Sequence, residues 1–234
     1  MKVRPTCVRL TCALLFVVLA GCGRAPLPAE IEAVAMDASQ RGDEAAEWQL
    51  QAWAADGQPV AERELALLYR KRHRDDQARA LFLRAARQGD AEAAYALGDL
   101  ERDHGRAAQW YRQAAQQGHA KAALSFALLL KNGDGIPTDK AAAAHWFGVA
   151  AQAGDAHAMF LLSNAYADGD GVPRDPRRAR DLLERAADRE YPAAIQELAL
   201  VKQTGDDLTP KDAAESDQLL KEGAEHRRSN ARRF

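Results

Sequence analysis

Cysteine is nearly absent from the chain, and this limits how its fold can be held together. All three cysteines lie within the first 22 of the 234 residues. If residues 1–21 are removed as a signal peptide, only Cys22 remains, and a single cysteine cannot form an intramolecular disulfide. The mature fold must therefore be held by packing alone, even in an oxidising compartment.

Strand-forming residues and excess positive charge are also scarce. Val and Ile are sparse, whereas Ala, Leu, Glu, Gln and Arg are plentiful, a mixture that favours helices over strands. Removal of residues 1–21 takes away Lys2, Arg4 and Arg9, which leaves 29 basic residues against 34 acidic ones. A nucleic-acid-binding domain is normally basic, so we expect no nucleic-acid partner.

The residue patterns of common catalytic and metal sites are missing as well. There is no His-Glu-x-x-His run, no His/Cys cluster, no Gly-x-Ser-x-Gly context for the serines and no phosphate-binding glycine loop. The segment DGDGVPRD (168–175) resembles a calcium loop only superficially, because it contains a proline and lacks the required glutamate. We therefore expect no catalytic residue, no metal and no cofactor, and a hydrolase is the least favoured function.

The first thirty residues predict an exported, lipid-anchored protein. Residues 1–9 carry three positive charges, and residues 10–20 form an apolar run that is too short to span a membrane. The segment Leu19-Ala20-Gly21-Cys22 then resembles the bacterial lipobox, in which the cysteine receives a diacylglycerol before cleavage ahead of it. An ordinary signal peptide with a chance cysteine is the alternative.

The lipobox resemblance implies boundaries and a location. Residues 1–21 would be the cleaved signal peptide, Cys22 would carry the S-diacylglycerol and N-acyl groups, and residues 22–29 would be the lipidated cysteine and a linker. Residue 23 is Gly, not the Asp that often retains such lipoproteins in the inner membrane. We therefore expect a lipoprotein of the outer membrane that faces the periplasm.

An internal repeat dominates the rest of the chain. Residues 119–154 and 155–190 superimpose without a gap at a period of 36, and "NGDGIP" (132–137) falls on "DGDGVP" (168–173). Residues 58–89 and 90–118 are shorter copies, and the pattern fades in residues 30–57 and 191–226, as expected of capping units. Matched positions in the two full copies include Ala122 and Ala158, Phe126 and Leu162, Leu130 and Tyr166, and Ala150-Ala151 and Ala186-Ala187.

These motifs resemble the Sel-1-like repeat family, a relative of the tetratricopeptide repeat. The resemblance implies an all-α, right-handed solenoid of helix hairpins, here residues 30–226 followed by a basic tail at 227–234. For function it implies an adaptor for a protein or other ligand. Together with the lipobox it also resembles scaffold lipoproteins of exopolysaccharide export, including alginate export. The chain departs from the cysteine-rich secreted members, because it lacks their paired cysteines.

The repeat predicts specific helices and turns. The first helix of each full copy covers about 120–131 or 156–167, and the second begins near Asp139 or Asp175, with Pro176 in the first turn. Thr209-Pro210 repeats that device. Gly89, Gly118 and Gly154 end second helices in a left-handed conformation. Stacked hairpins are expected to form a concave recognition surface.

Four residues are candidate partner contacts. Trp48 and Trp53 lie five positions apart in the irregular first unit, where an exposed tryptophan could anchor a partner and a core or capping role is the alternative. Arg232 and Arg233 belong to the basic ending, which could touch an anionic surface or simply fray. We expect a lipid-anchored envelope scaffold that binds an unidentified envelope protein or peptide, possible pathways being envelope assembly and exopolysaccharide export. Binding of peptidoglycan or exopolysaccharide is the alternative.

Overall fold

The computed structural model describes residues 25–208 and 211–231 as a series of helix hairpins. In these ranges the chain forms twelve α-helices, one π-helical turn and no β-strand. The first unit contains α1 (Pro28–Met36), the π-helical turn Asp37–Arg41 and α2 (Glu44–Ala55). Five hairpins follow: α3 (Pro59–Lys71) with α4 (Asp75–Arg87), α5 (Ala91–Leu100) with α6 (His104–Gln116), α7 (Ala120–Asn132) with α8 (Lys140–Gln152), α9 (Ala156–Asp168) with α10 (Pro176–Asp188), and α11 (Pro192–Thr204) with α12 (Ala213–Ala231).

The predicted all-helical solenoid is confirmed. Each helix packs against its hairpin partner and against the next hairpin along the chain, so contacts run between neighbours in sequence. None of the helices formed by the described residues is long and apolar enough to cross a bilayer.

Aspartate side chains start many of these helices. The carboxylate of Asp175 accepts a hydrogen bond from the Arg178 N–H, and Pro176 occupies the first turn, as predicted. Asp139 caps α8 in the same way through the Ala142 N–H. The predicted copy of this device at Thr209-Pro210 lies outside the described residues.

Small and bulky apolar side chains pack together in two core clusters, a large one along the repeats and a smaller one in the first unit and α3. The alanine pairs that close the second helices are buried, and Phe82 and Phe147 fill the spaces between helices at 0% and 2% exposure. Full burial of such a side chain contributes about 1.5–3 kcal/mol. The predicted apolar face of α7 is confirmed, because Ala122, Phe126 and Leu130 are all buried.

The turns between units behave as the sequence predicts. Gly89, Gly118 and Gly154 have φ angles of +91°, +86° and +95°, so each ends a second helix with a positive φ. Arg41-Gly42-Asp43 is a helix-connecting turn in which Gly42 is left-handed and Asp43 caps α2.

The loop that lengthens the two full repeats packs on the preceding hairpin. A Cβ added to Gly135 would lie 2.5 Å from the Gly105 nitrogen at the start of α6, and Gly171 approaches the Lys140 backbone at the start of α8 just as closely. Both glycines also have positive φ angles, +70° and +76°. The recurring second glycine of the loop is therefore required by contact between repeats.

Helix ends at the two termini differ slightly from the expected domain boundaries. Helix α1 begins at Pro28, two residues before the expected start of the repeat region, because proline is well suited to the first turn. Helix α12 continues to Ala231, beyond the expected boundary at residue 226. The lipobox residues Leu19, Ala20, Gly21 and Cys22, and also Arg232 and Arg233, lie outside the described residues.

Candidate binding surface

A groove lies between α8 and α10, which are the second helices of the two full repeats. Its floor is formed by Leu162 and Tyr166 of α9 and by Val172 of the following loop. One wall includes His145 and Gly148 of α8, and the groove encloses a volume of about 500 Å³. The opposite wall is formed by α10 residues, namely Arg178, Asp181, Leu182 and Arg185.

An equivalent groove lies one repeat earlier, between α6 and α8. Its floor is formed by Phe126, Leu130 and Ile136, which occupy the repeat positions of Leu162, Tyr166 and Val172. It encloses a volume of about 420 Å³. Its other lining residues are Gly105, Ala108, Gln109, Arg112, Pro137 and Asp139. The two grooves are therefore one structural feature repeated along the solenoid, and we call them the paired grooves.

Small residues keep the larger groove open. A Cβ placed on Gly148 would meet only a Leu162 methyl group, at 4.0 Å, so no backbone or packing requirement explains a glycine inside α8. In the smaller groove, the Trp146 ring lies edge-on to the floor residue Phe126, with 5.7 Å between ring centroids. Trp146 occupies the repeat position of Leu182, which lines the larger groove. The side chain of Trp146 is larger than that of Leu182 and narrows the smaller groove.

Three arginines and two aspartates lie among the residues that line the paired grooves. Arg178 lies 5.6 Å from the centre of the Tyr166 ring and donates a 3.4 Å hydrogen bond to its hydroxyl, a contact that raises the pKa of Arg178. Arg185 pairs with Asp181 at 3.4 Å, with both side chains about half exposed or more. Such exposed pairs are weak, so these arginines remain available to an acidic ligand.

The first helices carry a cluster of polar and aromatic contacts. Tyr95 stacks on His119 with 4.7 Å between ring centroids, and Tyr111 donates a 2.9 Å hydrogen bond to Asp99. Burial raises the pKa of the Tyr111 hydroxyl, and the hydrogen bond to Asp99 raises it further. His119 Nδ1 accepts from the Ala122 N–H, so its Nε2 is the atom that donates to Glu92, at 2.9 Å. The contacts of His119 join α5 to the start of α7 in the next repeat, whereas the hydrogen bond between Tyr111 and Asp99 joins the two helices of one hairpin.

Another groove lies between the first helices of the first two units. It separates α1 from α3, encloses about 550 Å³ and is lined in part by Met36 and Leu67. The Lys71 ammonium crosses it to donate a 2.8 Å hydrogen bond to the Ser39 carbonyl, and Arg63 pairs with Glu32 at 3.0 Å. Arg63 also pairs with Asp90 at 3.0 Å, so its guanidinium joins three helices. These ion pairs already link the walls of this groove.

The structure separates the two candidate tryptophans. Trp48 is 74% exposed, whereas Trp53 is half-buried and packs on the apolar cluster around Ile31 and Leu50. Five residues correspond to about 140° of rotation around an α-helix, so the two rings point to different sides of α2. Trp48 remains a candidate anchor, and Trp53 packs against the edge of the core of the first unit.

Metal ligation has no visible basis in the described part of the chain. Residues 25–208 and 211–231 contain no group of three or more His, Cys, Asp or Glu side chains that could hold an ion. The segment at 168–175 is an inter-repeat turn, in which Asp170 pairs with Lys140 at 2.7 Å and Asp175 caps α10.

Sequence reasoning missed the paired grooves. Their floor positions recur at a period of 36, but the period alone does not tell a fully covered core residue from one at the bottom of a groove. The available signal was Gly148, because a glycine inside an alanine-rich helix weakens the helix unless space is needed there.

Comparison with known proteins agrees with this architecture. A sequence model of the Sel1 repeat matches residues 59–90, 91–119, 120–155 and 156–191, which together make up more than half of the chain. The chain belongs to the Sel1 repeat family. The resemblance inferred from the repeats is thereby confirmed. Sel1 repeat proteins generally serve as scaffolds for protein–protein interactions and are generally non-catalytic adaptors.

Solved structures of Sel1 repeat proteins are similar to this one. A Sel1 repeat protein from Oxalobacter formigenes matches with a TM-score of 0.68 and 25% identity over 84% of this chain and 85% of that one. The protein c5321, a protective antigen of uropathogenic Escherichia coli with an SLR fold, matches with a TM-score of 0.74 and 24% identity over 85% of this chain and 46% of its own. The second likeness concerns the fold alone.

A curated relative shares a shorter segment. The ERAD-associated E3 ubiquitin-protein ligase component HRD3B of Arabidopsis thaliana is 36% identical over 75 residues, which are 29% of this chain and 12% of that protein. The Sel1 repeat chain thus corresponds to a small part of this relative.

Proposed function

We propose that this Sel1 repeat chain is a lipid-anchored scaffold of the bacterial outer membrane that holds a partner protein in its paired grooves. The observation that carries the proposal is the recurrence, in two successive repeats, of one apolar groove with at least one arginine among its lining residues. A partner that occupies both grooves gains two contacts for one loss of translational freedom, which favours specific binding.

The tether rests on the lipobox-like segment that ends at Cys22. Six residue steps separate Cys22 from Pro28, where the first helix begins, and they span at most about 20 Å. A scaffold attached by acyl chains would therefore keep its repeats close to the membrane and raise the local concentration of membrane-associated partners.

Filling a groove tests the scaffold function. Gly148→Arg places a long side chain in the α8–α10 groove, where a Cβ has room. In cells treated with a crosslinker, we expect the partner proteins recovered with the wild-type chain to be lost from this variant. Gln116→Arg, at an exposed position at the end of α6, is the control and should retain them. Equal recovery from both variants would contradict a role for the paired grooves.

Acylation tests the tether separately. We expect Cys22→Ser to yield an unprocessed precursor or a product without fatty acid, as measured by intact-protein mass spectrometry and membrane fractionation. Cys12→Ser, within the predicted signal peptide, should leave acylation unchanged because that cysteine is removed. Normal acylation of the Cys22→Ser variant would end the lipoprotein proposal.

A second candidate function is binding of an envelope glycan, and the exposed ring of Trp48 favours it. Aromatic faces are suited to apolar contact while the indole N–H stays available for hydrogen bonding. Retention of the purified chain on peptidoglycan or exopolysaccharide without protein partners, together with loss of retention in Trp48→Ala, would favour the glycan over the scaffold.

A further inference from the structure

We propose that the paired grooves bind an extended, acidic peptide segment of the partner, with one large apolar side chain in each groove. This inference rests on the proposed scaffold function and adds the chemistry of the segment that is recognised. It follows from the apolar floors, the charge of the rims and the low ridge between the grooves.

The apolar floors require apolar side chains. Phe126 and Leu130 in one groove, and Leu162 and Tyr166 in the other, lie at the bottom of open clefts of about 420 and 500 Å³. Each volume accommodates a large aliphatic or aromatic side chain with room for part of its backbone. Apolar surface at these floors loses its contact with water when such a side chain enters.

The charge balance of the rims favours an acidic segment. Arg112 is exposed and forms no ion pair or hydrogen bond with any residue in the described ranges. Asp139 is already occupied as the cap of α8, and Asp181 is shared with Arg185. Arg178 is paired with Asp175 at 3.3 Å, but three arginines and only two aspartates line the two grooves, and the unpaired guanidinium of Arg112 is complementary to a carboxylate.

The ridge between the grooves favours an extended chain. Helix α8 separates them, and four of its seven residues that line the larger groove are alanine or glycine, the larger ones being His145, Val149 and Gln152. A helix is about 10 Å across, and an extended chain advances about 3.3 Å per residue. Successive side chains of an extended chain point to opposite sides, so apolar side chains four residues apart point the same way and can reach both grooves, whereas a rigid helix would be held off by α8.

Peptide selection tests the inference. The purified full chain in detergent is exposed to a displayed library of random peptides about twelve residues long, which is enough to cross both grooves in extended form. We expect enriched peptides to contain Asp or Glu together with two large apolar residues four positions apart. Enrichment of basic peptides, or no enrichment at all, would overturn the inference.

Binding measurements on variants show which part of the molecule the selected peptide contacts. For the most enriched peptide, labelled with fluorescein, we expect Gly148→Trp, which fills the larger groove without adding charge, and Arg112→Glu each to weaken binding by about tenfold or more in an anisotropy titration. Raising the salt from about 50 mM to about 500 mM should weaken binding as well, because the contacts are exposed. Gln116→Trp and Arg87→Glu, at exposed positions outside the two grooves, are the matched controls.

The outcomes separate this inference from the scaffold proposal. Binding that survives both groove variants, or that is insensitive to salt, contradicts the acidic-peptide assignment. If the crosslinked partner is still lost in Gly148→Arg, the scaffold proposal stands while the chemistry of the bound segment is different. Thermal unfolding of each variant, followed by circular dichroism, verifies that a loss of binding does not reflect a loss of fold.

Discussion

At the scale of single residues, position on a helix decides what a tryptophan does. Trp48 and Trp53 are on the same helix, but only Trp53 is covered by the apolar cluster of the first unit. The exposed ring contributes little to stability and remains available to a partner, whereas the covered ring packs against the edge of the core.

We expect Trp53→Ala to lower the free energy of unfolding by about 1–2 kcal/mol, because it uncovers part of the apolar cluster that contains Ile31 and Leu50. Trp48→Ala should change it by no more than about 0.5 kcal/mol, as is usual for an exposed position. Urea denaturation followed by circular dichroism measures both changes. Equal losses in the two variants would contradict the assigned surroundings.

Glu62 is a buried charge at the junction of the first two units. Its side chain is fully buried, it is paired with Arg84, and Gln88 donates a 2.9 Å hydrogen bond to it. Arg84 also donates to the Ala54 carbonyl at 2.8 Å, so this group of contacts ties α2 to α3 and α4. Burial raises the pKa of Glu62, and the nearby Arg84 only partly opposes it.

The raised pKa predicts a specific pH dependence. Above the ordinary value of 4.5 and up to the folded-state pKa, the folded chain binds this proton more tightly than the unfolded chain does. The stabilising contribution is therefore fully present below the ordinary pKa and is lost as the pH rises through the folded-state value. We expect Glu62→Gln to remove this loss, so the free energy of unfolding should fall less with rising pH than in the wild type.

Urea denaturation at a series of pH values between about 4 and 8 measures this effect. Glu184→Gln, which removes an exposed carboxylate on α10, is the control and should keep the pH profile of the wild type. A Glu62→Gln profile that is parallel to the wild-type profile throughout would show that Glu62 does not contribute.

At the scale of elements, loops and caps set the spacing of the helices. The loop after α7 places Gly135 against the start of α6, and the loop after α9 places Gly171 against the start of α8. An aspartate beside each glycine pairs with the first residue of the helix it touches: Asp134 lies 3.7 Å from His104, and Asp170 lies 2.7 Å from Lys140. The extra residues of the full repeats therefore pack against the preceding hairpin and pair with it through this aspartate.

Alanine substitutions separate this contact from backbone strain. Gly135 and Gly118 both have positive φ angles, so alanine at either position should cost about 1 kcal/mol or more. Only at Gly135 does the added Cβ also meet backbone, whereas nothing lies within 4 Å at Gly118. We therefore expect Gly135→Ala to lower the free energy of unfolding by a further 1–3 kcal/mol or so beyond Gly118→Ala. Equal losses of unfolding free energy in the two variants, measured by urea denaturation, would contradict this contact between repeats.

At the scale of the whole molecule, stability comes from contacts within each hairpin and between adjacent hairpins. From α4 onward, each helix makes most of its contacts with the other helix of its own hairpin and the rest mainly with a helix of an adjacent unit. A repeat in the middle is covered on two sides and the last repeat on one, so local opening should be easiest at the ends.

Equivalent leucines in different repeats test this arrangement. Leu97 in α5 and Leu198 in α11 occupy the same repeat position and are 0% and 6% exposed. Each change to alanine should cost about 2–5 kcal/mol locally. We expect Leu198→Ala to speed amide hydrogen exchange mainly in α11 and α12, and Leu97→Ala to speed it in the hairpins on both sides of α5. Uniform acceleration along the chain in both variants would mean that the solenoid opens as a single unit.

Much of the fold could be predicted because it depends on local residue types and on the period of the repeat. Asp175-Pro176 marks a helix start, Gly118 marks a helix end, and the alanine pairs mark where helices approach closely. The extension of α1 to Pro28 was not predicted, because a short proline-containing segment is equally suited to a linker or to a first helical turn.

The binding surface was harder to predict for a physical reason. Phe126 and Leu162 repeat as core residues do, and only the separation of α6 from α8 and of α8 from α10 leaves a cleft above them. In the same way, the pattern around Trp48 and Trp53 left their exposure open until the packing of α1 on α2 and α3 was known.

The sequence by itself determined the helical class, the repeat length, the turns and the family, because these depend on residues close together in the chain and on their periodicity. Only the tertiary structure decided which apolar residues remain at the bottom of open grooves, which tryptophan is exposed and where Gly135 touches another repeat. Those properties depend on distances between helices that are far apart in sequence, and side-chain packing across the hairpins sets those distances.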